Sequence, residues 1–104
     1  MINIINMRIW NKQRRIRKET ETKIISLLKE LNYKEVLINN TVVYTSKRKY
    51  LKLTFIRGLK SYVFEYADSY DEAEKNLFGD GDLFPLTMNE AEMLFKMRDE
   101  IINL

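Results

Sequence analysis

Residues 34–67 constrain the fold most tightly. They contain four short runs, 34–38, 41–46, 50–57 and 61–67, rich in Val, Ile, Tyr, Phe and Thr. Side chains that are branched or aromatic at this density suit a pleated, half-buried surface. The runs are separated by Asn39-Asn40, Arg48-Lys49 and Gly58-Leu59. Asn tolerates the positive φ of a tight hairpin and Gly adopts it without steric cost, so each break is expected to be a turn. With two-residue loops, residue 38 faces 41, 47 faces 50 and 57 faces 60. One face then collects Leu37, Val42, Tyr44, Leu51, Leu53, Phe55, Tyr62, Phe64 and Tyr66. The other collects Val36, Ile38, Val43, Thr45, Lys52, Thr54, Ile56, Val63 and Glu65, with Lys52 opposite Glu65. Side chains alternate along a strand, so a one-residue slip would destroy this sorting.

Two amphipathic segments flank the strands. Over residues 8–31, Ile9, Ile16, Thr20, Ile24, Leu27 and Leu31 recur at helical steps, with Leu28 widening the stripe and Asn32 suited to the C-cap. Basic side chains crowd the first half of this helix, where the helix dipole disfavours them. A start near residue 18 would leave 1–17 as a flexible basic arm; the phase of Ile9 and Ile16 favours the longer helix. A second helix is expected over 88–103, capped by Thr87 with Glu90, its apolar stripe formed by Ala91, Leu94, Phe95, Ile101 and Ile102 beside Met88 and Met97. Between strands and helix, Ser69 and Glu72 form a capping box for a short helix lined by Tyr70, Ala73 and Leu77. Gly79-Asp80-Gly81-Asp82 is expected to be a turn before an extended run, Leu83–Leu86. The expected fold is a single α+β domain, 1–104: an antiparallel four-stranded β-meander with an N-terminal and a C-terminal helix packed on its aromatic face, in the order α-β-β-β-β-(α)-α. The second sheet face is expected to be uncovered, and its Val and Ile side chains mark a homodimer or partner contact.

Charge is polarised along the chain. Residues 1–60 carry fifteen Lys/Arg against four Asp/Glu, and residues 61–104 carry three against eleven. Such asymmetry points to binding surfaces. There is no His and no Cys. This rules out Ser-His-Asp and Cys-His catalysis, His or Cys metal ligation and disulfides. A carboxylate pair could still serve as acid and base, but a two-layer domain of 104 residues offers little wall for a cleft. Gly79 and Gly81 lack the Lys and further glycines of a phosphate loop. Asp80-Gly81-Asp82 lacks the later ligands of a calcium loop. The chain is therefore expected to be non-enzymatic, with no cofactor and no metal.

Two surfaces remain as candidates. The acidic stretch Asp68, Asp71, Glu72, Glu74, Asp80 and Asp82, with the polar face of 88–103, would receive a basic partner protein. The alternative is nucleic-acid binding through the basic helix. There Trp10 can stack on a base while Arg14, Arg15, Arg17 and Lys18 take phosphates, with Arg48 at a hairpin tip adding a second basic point. Ile2, Ile4, Ile5, Ile9 and Trp10 ahead of the arginines could also rest on a membrane surface. No run is long enough to span a bilayer. The opening residues, with no leading charge and two interrupting Asn, make a poor export signal. A cytoplasmic location is expected. Heavy use of Ile, Asn and Lys, all with AT-rich codons, suits a low-GC bacterium.

The short aromatic strands of 41–67, followed by Asp80-Gly81-Asp82-Leu83-Phe84-Pro85-Leu86 before a Glu-rich helix, resemble small α+β proteins of Gram-positive bacteria. Some immunity proteins that neutralise toxins share this size and layout. The resemblance carries over no individual functional residue.

Overall fold

A computed structural model describes the backbone of residues 4–47 and 49–104 and the side chains of residues 17–47 and 49–104. The chain runs α1 (Ile4–Glu30), β1 (Lys34–Ile38), β2 (Thr41–Ser46), β3 (Lys49–Ile56), β4 (Ser61–Ala67), α2 (Tyr70–Glu74), β5 (Gly79–Pro85) and α3 (Glu90–Ile102). The strands form one antiparallel meander in the order β1-β2-β3-β4-β5. The fold is α+β, with five strands where the sequence suggested four.

The hairpins show how local chemistry sets register. Asn39 and Asn40 both adopt positive φ, 53° and 61°, and Ile38 faces Thr41 as expected. Two consecutive left-handed residues match the twist of the strands they join. At the second hairpin Ser46 faces Lys49, so the pairing is displaced by two residues from the expected one. A two-residue shift preserves the alternation, so the faces stay sorted. At the third, a short 3₁₀ turn, Arg57–Leu59, precedes Lys60. Lys60, with φ 45°, supplies the left-handed residue that Gly58 was expected to supply.

α1 ends in a Schellman motif: Asn32 has φ 69°, the Tyr33 amide donates to the Leu28 carbonyl at 2.9 Å, and the Asn32 amide donates to Lys29 at 3.0 Å. Both Leu28 and Tyr33 enter the main core, which also holds Ile24, Leu27, Tyr44, Leu51, Tyr62, Phe64, Phe84, Met93, Met97 and Ile101. This core lies between the aromatic sheet face and helices α1 and α3. The helices run in the same direction, since Lys23 and Thr20 meet Glu90 near the start of α3 while Arg98 meets Glu30 near the end of α1.

Three expectations are corrected. The second sheet face is not bare: Val36, Ile38, Val43, Tyr50 and Ala67 pack with Ala73 of α2 and with Phe78. The homodimer contact was argued from an open surface, and residues 70–78 fold back over this part of it. α3 starts at Glu90 with Asn89 as its cap, accepting from the Glu92 amide at 3.2 Å, rather than at 88 with Thr87. Its buried stripe is Met93, Met97 and Ile101, while Ala91, Phe95 and Ile102 face outward. Finally, Gly79–Asp82 is strand. No glycine uses positive φ, so Gly-Asp-Gly-Asp lies flat along β4 as part of β5.

Candidate functional site

The last strand and last helix together form the most distinctive surface among the described residues. Val63 pairs with Leu83 and Glu65 with Asp80, so Gly81 and Asp82 together oppose the single residue Phe64. A bulge of this kind frees a backbone amide from the ladder for another acceptor. The Asp82 amide finds it in α3, donating to Glu100 Oε1 at 2.7 Å. Glu100 Oε2 in turn accepts from the Tyr66 hydroxyl. The carboxylate thus joins β4, β5 and α3. Burial, then the neighbouring Glu100 charge and hydrogen bond, raises the Tyr66 phenol far above its ordinary value. Gly81 is required here by close approach. A Cβ built on it would lie 2.7 Å from Glu100 Oε2 and 2.8 Å from Tyr66 Cε2.

Beside this junction is an open groove of about 880 Å³. Asp80, Asp82, Asp99 and Glu100 line it together with Lys96, and Lys96 is also paired with Glu92 at 3.1 Å. Leu83, Met88, Phe95 and Leu104 add apolar surface. Phe95 is 71% exposed, and Leu83 and Leu104 are each 47% exposed. A large apolar side chain this open is a stronger signal than scattered surface aliphatics. Phe95 also borders a second, more apolar groove of about 380 Å³ between α1 and α3, with Leu27, Leu94 and Arg98. Chemically, the first groove offers negative charge together with apolar surface.

The expected acidic site is divided by the fold. Asp82 lines the groove with Asp99 and Glu100, and Asp80 lines it at the edge of the sheet, in register with Glu65. Asp68, Asp71, Glu72 and Glu74 belong to α2 and its approach, on the opposite side of the sheet, and most have local work. Asp68 pairs with Lys49 at 2.7 Å and Asp71 with Lys75 at 3.0 Å. The pairing with Asp68 raises the Lys49 ammonium above its ordinary value. The Glu72 amide donates to the Ser69 hydroxyl at 3.1 Å, so Ser69 caps α2 as expected, while Glu72 Oε2 accepts from the Asp68 amide at 2.9 Å, one residue before the cap, rather than from the Ser69 amide of a capping box. Glu74 is exposed, and its carbonyl accepts from Asn39 at 2.7 Å. Among the described residues, no group of three or more acidic side chains is placed to hold a metal ion.

Of the basic candidates, the side chains of Trp10, Arg14 and Arg15 and all of Arg48 lie outside the described residues. α1 continues through positions 10, 14 and 15. Lys18 is exposed. Arg17 is held by the fold: its guanidinium lies 3.9 Å from the Phe55 ring centroid and 3.7 Å from Glu21 Oε1. Below it the Tyr62 hydroxyl donates to the Arg17 carbonyl at 3.2 Å and to Glu21 at 3.3 Å; burial, then the Glu21 charge, pushes this phenol up to about 12. Lys52 faces Glu65 in register as expected, yet its ammonium donates to Asn76 at 3.0 Å and sits 4.1 Å from the Phe78 ring centroid, while Glu65 accepts from Thr54.

Sequence reasoning placed the polar face of 88–103 in the site without naming Asp99 or Glu100, and it missed Phe95 and Leu104. Phe95 was assigned inward with Ala91, Leu94, Ile101 and Ile102. Of that stripe only Ile101 is buried, and it belongs to the i, i+4 series Met93, Met97, Ile101 that fills the core. Among the described residues, no helix is long and apolar enough to cross a membrane. Compared with known proteins, the chain matches no family model, no curated protein and no solved structure.

Proposed function

We propose that the chain is a non-enzymatic, cytoplasmic protein-binding domain. Its contact surface is the groove between β5 and α3, and its partner presents a basic segment with apolar side chains. The observation behind this reading is the convergence of Asp80, Asp82 and Asp99 around the exposed Phe95 and Leu104. Charges on the rim of such a surface steer encounter and fix register, while an aromatic anchor at its centre carries much of the affinity. Compared with the sequence expectation of the 68–82 stretch with the polar face of 88–103, the proposed surface keeps the 88–103 helix and only Asp80 and Asp82 of the acidic stretch. The test is the anisotropy of a fluorescent peptide of alternating arginine and leucine. Binding is expected to weaken by about ten-fold or more in Phe95→Ser, on the scale of an interface anchor. Equal affinity for wild type and Phe95→Ser would overturn the reading.

Nucleic-acid binding is the second reading. It is favoured by the continuity of α1 through the basic cluster, which places positions 10, 14 and 17 on one helical face. Trp10 is the only tryptophan, so its fluorescence reports on that face. Quenching by nucleic acid that saturates and fades steeply with salt would favour this reading over the groove.

A further inference from the structure

The polarity of the sequence becomes a polarity of the molecule. Glu30, at the end of α1, bonds Arg98 at 2.6 Å, so the end of α1 lies beside the part of α3 that lines the groove. The basic residues occupy the other end of the same helix. At about 1.5 Å per residue, position 14 lies about 24 Å from Glu30 along the axis and position 8 about 33 Å. A straight helix cannot bring its first half back to the groove of its own chain. A second copy meets no such restriction.

We infer that the occupant of the groove is the basic first half of α1 from a second copy of this chain, which gives head-to-tail self-association. The complementarity is one of content: the sequence of residues 8–16 holds Arg8, Lys12, Arg14 and Arg15 with Ile9, Trp10 and Ile16, and the groove lining holds four carboxylates with Phe95 and Leu104. The two surfaces differ, so the contact is heterologous. Each added copy leaves one arm and one groove free, and association continues into short chains or closes into a ring. Attraction between opposite charges at exposed surfaces weakens as the screening length shortens with salt. This inference rests on the groove reading above and commits it to a partner.

The test uses two full-length variants. One neutralises the arm (Arg8→Gln, Lys12→Gln, Arg14→Gln, Arg15→Gln). The other disables the groove (Asp80→Asn, Asp99→Asn, Phe95→Ser). Sedimentation velocity is run on nuclease-treated protein, with circular dichroism confirming the fold. Wild type is expected to form oligomers that grow with concentration and weaken about ten-fold or more in apparent affinity between low and high salt. Each variant alone is expected to be monomeric. An equimolar mixture is expected to stop at dimers, because it holds one working arm and one working groove per pair. Self-association retained by either variant alone, or a mixture that stays monomeric, would overturn the inference. A wild-type monomer at low salt overturns it too, and the arginine–leucine peptide then separates the causes. Peptide bound in the groove leaves the groove reading standing with another basic partner, and no binding removes both.

Discussion

Two regions of this molecule carry carboxylates at similar density, and they use them differently. Around α2 the acidic side chains serve the fold. Glu72 accepts from the Asp68 amide, Asp68 pairs with Lys49 and Asp71 pairs with Lys75. Between β5 and α3 they surround a groove that holds an exposed phenylalanine. The difference comes from neighbours, since α2 is adjacent to lysines and to its own unpaired amides. β5 and α3 bring Asp80, Asp82, Asp99 and Glu100 together from distant parts of the chain, with Lys96 as the one cation among the described lining residues. An acidic stretch in a sequence is therefore several sites until the strand that separates them is found.

The comparison can be broken most sharply by charge removal on the two sides. Neutralising Asp80, Asp82 and Asp99 to Asn is expected to weaken binding of the arginine–leucine peptide by about 30-fold, given about 0.7 kcal/mol for each exposed charge pair. Neutralising Asp71 and Glu74 is expected to change it by less than about three-fold. Equal losses from both sets would erase the distinction.

The next largest effect concerns Gly81 against Gly79. Gly81→Ala drives a methyl group into Glu100 and Tyr66 and is expected to cost about 1–3 kcal/mol in denaturant unfolding, as overpacking does. Gly79→Ala has open space and an ordinary φ, so it is expected to be neutral within about 0.5 kcal/mol. Glu100→Gln keeps the shape of the junction but loses the charge-assisted bonds to Tyr66 and to the Asp82 amide; a loss of about 1–2 kcal/mol is expected. On the other side, Ser69→Ala removes the α2 cap, costs about 1 kcal/mol of stability and leaves peptide affinity unchanged.

The smallest effect appears only in alkali. Tyr66 and Tyr62 both hold their protons more tightly folded than unfolded. Their contribution to stability is complete below the unfolded phenol value of about 10 and is lost as pH rises above it, because the unfolded chain ionises first. A spectrophotometric titration is expected to show the Tyr62 and Tyr66 phenols ionising later than a free phenol. Tyr66→Phe is expected to remove one late phenol and flatten the decline in stability above pH ~10.

Much of the fold was legible in local chemistry. Three strands, β1, β2 and β4, and the Asn39-Asn40 turn follow from branched and aromatic runs broken by residues that accept positive φ. The left-handed C-cap at Asn32 and the Ser69 cap of α2 were equally readable, because each is a contact within a few residues. β5 was not legible. Gly-Asp-Gly-Asp carries no apolar alternation, and its extended form is set by pairing with β4 and by the bulge that ties it to Glu100. The face of α3 was misread because the i, i+4 series Met93, Met97, Ile101 runs beside the expected stripe, and only the sheet decides which is buried. The site followed the same division. Asp80 and Asp82 could be named from sequence, but their joining with Asp99, Glu100 and Phe95 depends on the two elements that local signals left open.

The most direct measurement is an amide NMR titration of the protein, in salt high enough to keep it monomeric, with the arginine–leucine peptide. Shifts concentrated at residues 80–83 and 95–104, with α2 unmoved, are the predicted result. Shifts centred on 68–75, or along α1 with the groove silent, would contradict the assignment of the groove as the contact surface.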